Sequence, residues 1–116
     1  MKKETLISKI NSLKESGAST EVDYDATMVA FEKKWGIEKG LVICMEEMAE
    51  LQQQISKMVR GKPDILALHE EIVDVELSLR YLKFVLGEKE QYSEEDLNCI
   101  SKIKADRVLH EEWTIT

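Results

Sequence analysis

Four acidic residues in this chain are spaced so that they can share a divalent cation. Glu47 and Glu50 stand at i and i+3, and so do Glu71 and Asp74. On a helix, residues three apart lie on one side, a single turn from each other. Either pair alone would read as an ordinary solvated face. Together they have a property that chance patterning does not favour. Glu50 and Glu71 are equally far from the midpoint between Arg60 and Gly61, and so are Glu47 and Asp74. A chain reversal there brings each acid level with its counterpart on a neighbouring antiparallel helix. At about 100° per residue, the acids also sit at matching offsets from apolar stripes centred on Met48 and Ile72. Converging carboxylates repel, so they either take up protons or bind a cation. An all-oxygen donor set suits Mg²⁺, with Mn²⁺ as a second choice, and not zinc. Such an ion can polarise a phosphoryl group and lower the pKa of an attacking water.

Helices must position these acids, and the periodicity supplies them. Leu6, Ile7, Ile10 and Leu13 have helical spacing over Thr5 to Lys14, with Gly17 as a stop and Ser16 to Val22 as a linker. Asp23 or Asp25 can cap a short helix that carries Met28, Val29, Phe31 and Trp35 and ends at Gly36. A long helix is expected from about Glu38 to Arg60, with a stripe of Leu41, Cys44, Met45, Met48, Leu51, Ile55, Met58 and Val59. Gly61 and Pro63 then mark a tight connection. A second long helix is expected from about Asp64 to Leu86, closed by Gly87. Its main stripe is Ile65, Leu68, Ile72, Val75, Leu79, Leu82 and Leu86, while Leu66, Val73, Leu77, Tyr81 and Phe84 lie off it. A helix apolar on more than one side must be buried on more than one side. Ser93 followed by Glu94 to Asp96 opens a last helix with Leu97, Ile100, Ile103, Val108 and Leu109.

The expected fold is therefore all-α, a four- to five-helix antiparallel bundle in one domain over 1–116. The first 22 residues form an N-terminal helix and linker, and 23–110 form the helical core. So short a chain cannot surround a central helix that is apolar most of the way round, so a homodimer or homotetramer is expected. The net charge of −7 disfavours nucleic acid as a partner, because phosphate backbones call for a basic surface. No apolar run reaches membrane-spanning length and no secretory signal is read at the N-terminus, so a cytoplasmic protein without a membrane partner is expected. Cys44 and Cys99 lie in apolar-periodic segments and read as two buried thiols. A carboxylate-bridged di-iron bundle would need a glutamate three residues before a histidine. Those positions hold Leu66 before His69 and Arg107 before His110. His69 itself reads as a surface or supporting residue.

The segment from Trp35 to Leu86 resembles the all-α nucleotide pyrophosphohydrolases of the MazG-like superfamily. Their mark is E-x-x-E, a spacer, then E-x-x-D. The surrounding text is similar too: KKWG before the first long helix, EEMAEL within it, KMVRGK at its end, then EEIVDV. The resemblance covers about half the chain. It implies magnesium-dependent hydrolysis of a nucleoside triphosphate, a dNTP or a non-canonical NTP, to the monophosphate and pyrophosphate. It also implies that Glu47, Glu50, Glu71 and Asp74 hold the metal, and that one of them or Glu46 orients the water. Basic residues on the last helix often hold the outer phosphates in this family, and Lys104 and Arg107 are the nearest match. Their other reading is a solvated helix face. Trp35 either stacks on a base or belongs to the core, the more usual place for a tryptophan in an apolar-periodic segment. Lys57, Arg60 and Lys62 surround the turn and read as solvated. Where many relatives carry a glutamine, this chain has Gly40, a residue that weakens a helix start by about 1 kcal/mol relative to Ala. Two other readings stand beside this one: phosphoribosyl-ATP pyrophosphatase, and a non-catalytic helical oligomer that binds metal or partner proteins.

Overall fold

The computed structural model describes residues 2–110. Among them are five helices and no strand: α1 (Lys3–Ser16), α2 (Tyr24–Trp35), α3 (Ile37–Val59), α4 (Ile65–Glu88) and α5 (Glu94–Leu109). The all-α expectation holds. No helix among the described residues is long and apolar enough to cross a membrane.

Side-chain caps start three of these helices. Asp23 Oδ1 accepts the Ala26 N–H at 3.0 Å, Asp64 Oδ1 accepts that of Ala67 at 3.1 Å, and Ser93 Oγ accepts that of Asp96 at 3.1 Å. Each satisfies a donor that the first helical turn leaves without a partner. The connection between α3 and α4 is equally defined. Gly61 N–H donates to Met58 O at 3.0 Å and Lys62 N–H to Lys57 O at 3.0 Å, with Gly61 at φ 75°. This is the paired-bond ending that a left-handed residue permits, and glycine takes that conformation without strain.

The end of α4 differs from expectation. The helix runs through Gly87 to Glu88. Glu90 N–H donates to Gly87 O at 3.0 Å and Gln91 N–H to Leu86 O at 2.8 Å, with Glu90 at φ 57°. Glu90 therefore takes the left-handed place for which Gly87 was expected, and Gly87 is tolerated inside the helix at a cost of about 1 kcal/mol.

The chain divides between Val85 and Leu86 into two compact units. In the first, the core is Met28 of α2, Cys44 of α3, and Tyr81 and Val85 of α4, with Phe31, Leu41, Leu77 and Phe84 packed against it. Tyr81 is 1% exposed. Its ring meets Phe31 edge-on at 4.7 Å between centroids, and its hydroxyl donates to Glu32 Oε1 at 3.1 Å. A Lys3 to Asp64 ion pair at 3.7 Å links α1 to the start of α4.

The buried face of α4 is the side opposite its main apolar stripe. Leu77, Ser78, Tyr81 and Val85 face the core, whereas Ile65, Ile72, Leu79 and Leu82 are exposed. On α3, Met45, Met48, Ile55, Met58 and Val59 of the expected stripe are exposed as well. The two stripes are covered only in part: Cys44 is buried, and Leu41, Leu51, Leu68, Val75 and Leu86 are half-buried. In the second unit, α5 buries no residue, and Leu97, Ile100 and Ile103 are exposed. Cys99 is exposed with them, against the expectation of a buried thiol, while Cys44 is buried as expected.

Candidate metal centre

The reversal at Gly61 sets α3 and α4 side by side in the register that the acids require. Cys44 Sγ donates to Ser78 O at 3.7 Å. Four residues earlier on α3, a Cβ on Gly40 would stand 2.9 Å from the Tyr81 ring. Gly40 thus leaves room for the Tyr81 ring against α3 just beyond the acids. A glycine near the start of α3 therefore has a packing reason. Continuing toward the turn, the next facing pair is Glu47 and Asp74.

Glu47, Glu71 and Asp74 each offer a carboxylate oxygen, and these oxygens lie within 4.8 Å of one another. All three side chains are half-buried. Glu47 Oε2 and Glu71 Oε2 are buried with no hydrogen-bond partner, and so is Gln54 Oε1, two turns along α3 from Glu47. A buried polar atom left without a partner costs about 1–3 kcal/mol. Three carboxylates close enough to touch one ion, two of them with buried oxygens that lack a hydrogen-bond partner, fit Mg²⁺ or Mn²⁺ by donor chemistry.

The electrostatics agree with the geometry. Burial first, then the charges of Asp74, Glu50 and Glu71, push the Glu47 carboxyl up to about 7 from 4.5. Glu71 is raised by burial and then by Glu50. Asp74 is raised chiefly by burial, with Glu70 and Glu50 adding to it. Without a cation, the cluster holds protons that ordinary carboxylates would have released.

The structure does not treat the four sequence candidates equally. Glu50 is exposed and lies outside the group of three, though its charge acts on all three. Glu46 is exposed. The acid that sequence reading passed over is Glu70, which is half-buried and whose charge acts on Asp74. Its place four residues before Asp74 was the available signal. Gln54 was also passed over, and nothing in its local pattern marks it apart from Gln52 and Gln53.

A mostly apolar pocket of about 150 Å³ opens beside the acids, between α2, α3 and α4. Met28, Phe31 and Leu77 form apolar walls, with Glu47 and Asp74 also on its lining. Its donors already have partners. Thr27 Oγ1 donates to Asp23 O at 2.7 Å, Ser78 Oγ to Asp74 O at 2.8 Å, and Cys44 and Tyr81 as described above.

The remaining candidates lie elsewhere. Trp35 is 36% exposed, so it is not core. The ammonium groups of Lys34 and Lys39 stand over its ring at 5.0 and 4.5 Å. It lines an open depression with Gly36, Ile37 and Val42, separate from the pocket at the acids. Both cations are within reach of the ring's electron-rich face. Lys104 and Arg107 are exposed on α5, in the second unit. His69 is exposed and its Nδ1 lies 2.7 Å from Ile65 O, a contact within its own helix. Lys57, Arg60 and Lys62 are exposed around the turn, as expected.

Among the described residues, fold and site thus define an all-α protein with a cation-sized cluster of carboxylates in the seam of an antiparallel helix pair. In comparisons with family models, curated proteins and solved structures, nothing matches the chain.

Proposed function

We propose that the protein is a nucleotide pyrophosphohydrolase that uses Mg²⁺, or Mn²⁺, to cleave a nucleoside triphosphate into the monophosphate and pyrophosphate. One observation carries the reading: Glu47, Glu71 and Asp74 converge to within 4.8 Å, with buried, unpartnered oxygens on two of them. The E-x-x-E and E-x-x-D resemblance supports the same reaction.

In this reading Glu47, Glu71 and Asp74 hold the ion, and Glu50 completes the set from the solvent side. The ion, when bound, neutralises phosphate charge and acidifies the attacking water. Glu47, whose carboxyl is raised to about 7 in the metal-free site, would give up that proton on binding the ion. Glu70 adds negative charge behind Asp74 and favours retention of the cation. The apolar pocket takes an uncharged part of the nucleotide, because its walls offer no spare donor. Trp35 remains available at the surface for stacking.

The exposed stripe of α4 supports association with a second copy of the chain. Ile72 is 41% and Leu79 44% exposed, on the face opposite the core. Symmetric pairing of two such stripes would complete the helical bundle, as a homodimer or a homotetramer.

The test is pyrophosphate release from a panel of dNTPs and NTPs with Mg²⁺ or Mn²⁺, with Glu50→Gln and Asp74→Asn as controls. Release by the wild type that both variants lose supports the reading. No release from any nucleotide removes it in favour of a non-catalytic oligomer.

A further inference from the structure

Gln54 is the third residue in the described chain with a buried, unpartnered side-chain oxygen, and the other two are the carboxylates Glu47 and Glu71. Three such atoms on the same pair of helices call for one explanation. Gln52 and Gln53, of the same residue type, are exposed, whereas Gln54 is half-buried. Gln54 therefore occupies an inward face of α3.

Helix geometry connects Gln54 to the acids. It lies four residues beyond Glu50 and seven beyond Glu47, so all three fall on adjoining sides of α3. In the register fixed by Cys44 with Ser78, and by Gly40 with Tyr81, Gln54 is level with Ala67. Ala67 is one turn, about 6 Å, before Glu71 on α4. Long helical side chains lean toward the N-terminus of their own helix. Because the helices are antiparallel, that rule inclines Gln54 and Glu71 toward each other across the seam.

We propose that the Gln54 side-chain oxygen is a further ligand group of the cation site, acting on the ion directly or through one bound water. The proposal rests on the metal-dependent reading of Glu47, Glu71 and Asp74. A neutral amide oxygen has a specific value there. Mg²⁺ seeks six oxygen ligands, and each carboxylate added to the set cancels positive charge that a polyphosphate needs. An amide raises the number of ligands and leaves that charge intact. It also explains why the chain keeps a buried acceptor without a protein donor, a feature that destabilises the metal-free state.

The experiment measures Mn²⁺ binding by the loss of the free-ion electron paramagnetic resonance signal, together with melting in EDTA. The proteins are the full chain, Gln54→Leu, Gln54→Glu, Gln53→Leu and Glu71→Gln. Gln54→Leu is expected to melt higher in EDTA, because the orphaned acceptor is gone, yet to bind Mn²⁺ about tenfold or more weakly. A side chain with a merely structural role would not move these two readouts in opposite directions. Gln54→Glu is expected to bind Mn²⁺ at least as tightly as the wild type and to melt lower in EDTA. Gln53→Leu is expected to match the wild type. Wild-type affinity in Gln54→Leu, with affinity lost in Glu71→Gln, overturns the role of Gln54 and leaves the metal site standing. If Gln54→Leu does not fold, weaker binding by Gln54→Glu overturns it. No saturable Mn²⁺ binding by the wild type overturns both.

Discussion

Tyr81 lies so close over Gly40 that a Cβ added to Gly40 would stand 2.9 Å from Tyr81 Cε2 and 3.0 Å from its hydroxyl. The contact seats α4 against α3 just beyond the acids. Gly40→Ala sets two effects against each other. Helix propensity favours alanine by about 1 kcal/mol. Overpacking a fixed core costs about 1–3 kcal/mol. Tyr81 is buried and held by Glu32, so its ring cannot swing aside and the clash prevails. Gly40→Ala is expected to lower the urea midpoint, and a higher midpoint would refute the close packing.

The metal-free protein is expected to lose stability as pH rises. Glu47 has its pKa raised in the folded state from 4.5 to about 7, and Glu71 and Asp74 are raised too. A raised folded pKa gives stability that is fully present below the unfolded value and lost as pH rises through the folded one. In EDTA, the urea midpoint should therefore fall between pH 4.5 and about 7. Saturating Mg²⁺ should shrink that fall, and Glu47→Gln should shrink it without metal. A midpoint in EDTA that climbs over this range contradicts the crowding of the acids.

Ile72 and Leu79 sit two turns apart on the exposed stripe of α4. Replacing both with lysine is expected to reduce the mass measured by light scattering to that of one chain. Helical circular dichroism should persist, because neither side chain belongs to the core of Met28, Cys44, Tyr81 and Val85. A wild-type mass of one chain would remove the proposed association, and an unchanged mass above that of one chain would place the contact on another face.

Helix arithmetic made the acidic register readable in advance, because reversal at Gly61 and a fixed rise per residue leave few alternatives. Cap chemistry at Asp23 and Ser93 was readable for the same local reason. The packed face of α4 was not. Periodicity reveals two apolar sides without telling which one the chain covers itself, and Tyr81 lay off the stronger stripe. Its partner Gly40 was visible only as a weak helix former. Trp35 and Cys99 looked internal because their neighbours are apolar, yet local pattern carries no information on whether another element lies above them. Gln54 could not be separated from its two identical neighbours without knowing which way α3 faces.

The paired-bond ending at Gly61 acts as a ruler. Adding a single residue between Lys62 and Asp64 would leave both long helices intact. Yet it would displace α4 along its partner by about 1.5 Å or rotate it by about 100°. Either displacement parts Asp74 from Glu47, and a rotation of that size would also turn Tyr81 and Val85 away from Met28 and Cys44. On the proposed reading, loop length at this turn sets how the carboxylates of the two helices line up, and residues inserted or deleted there are expected to weaken binding of the cation.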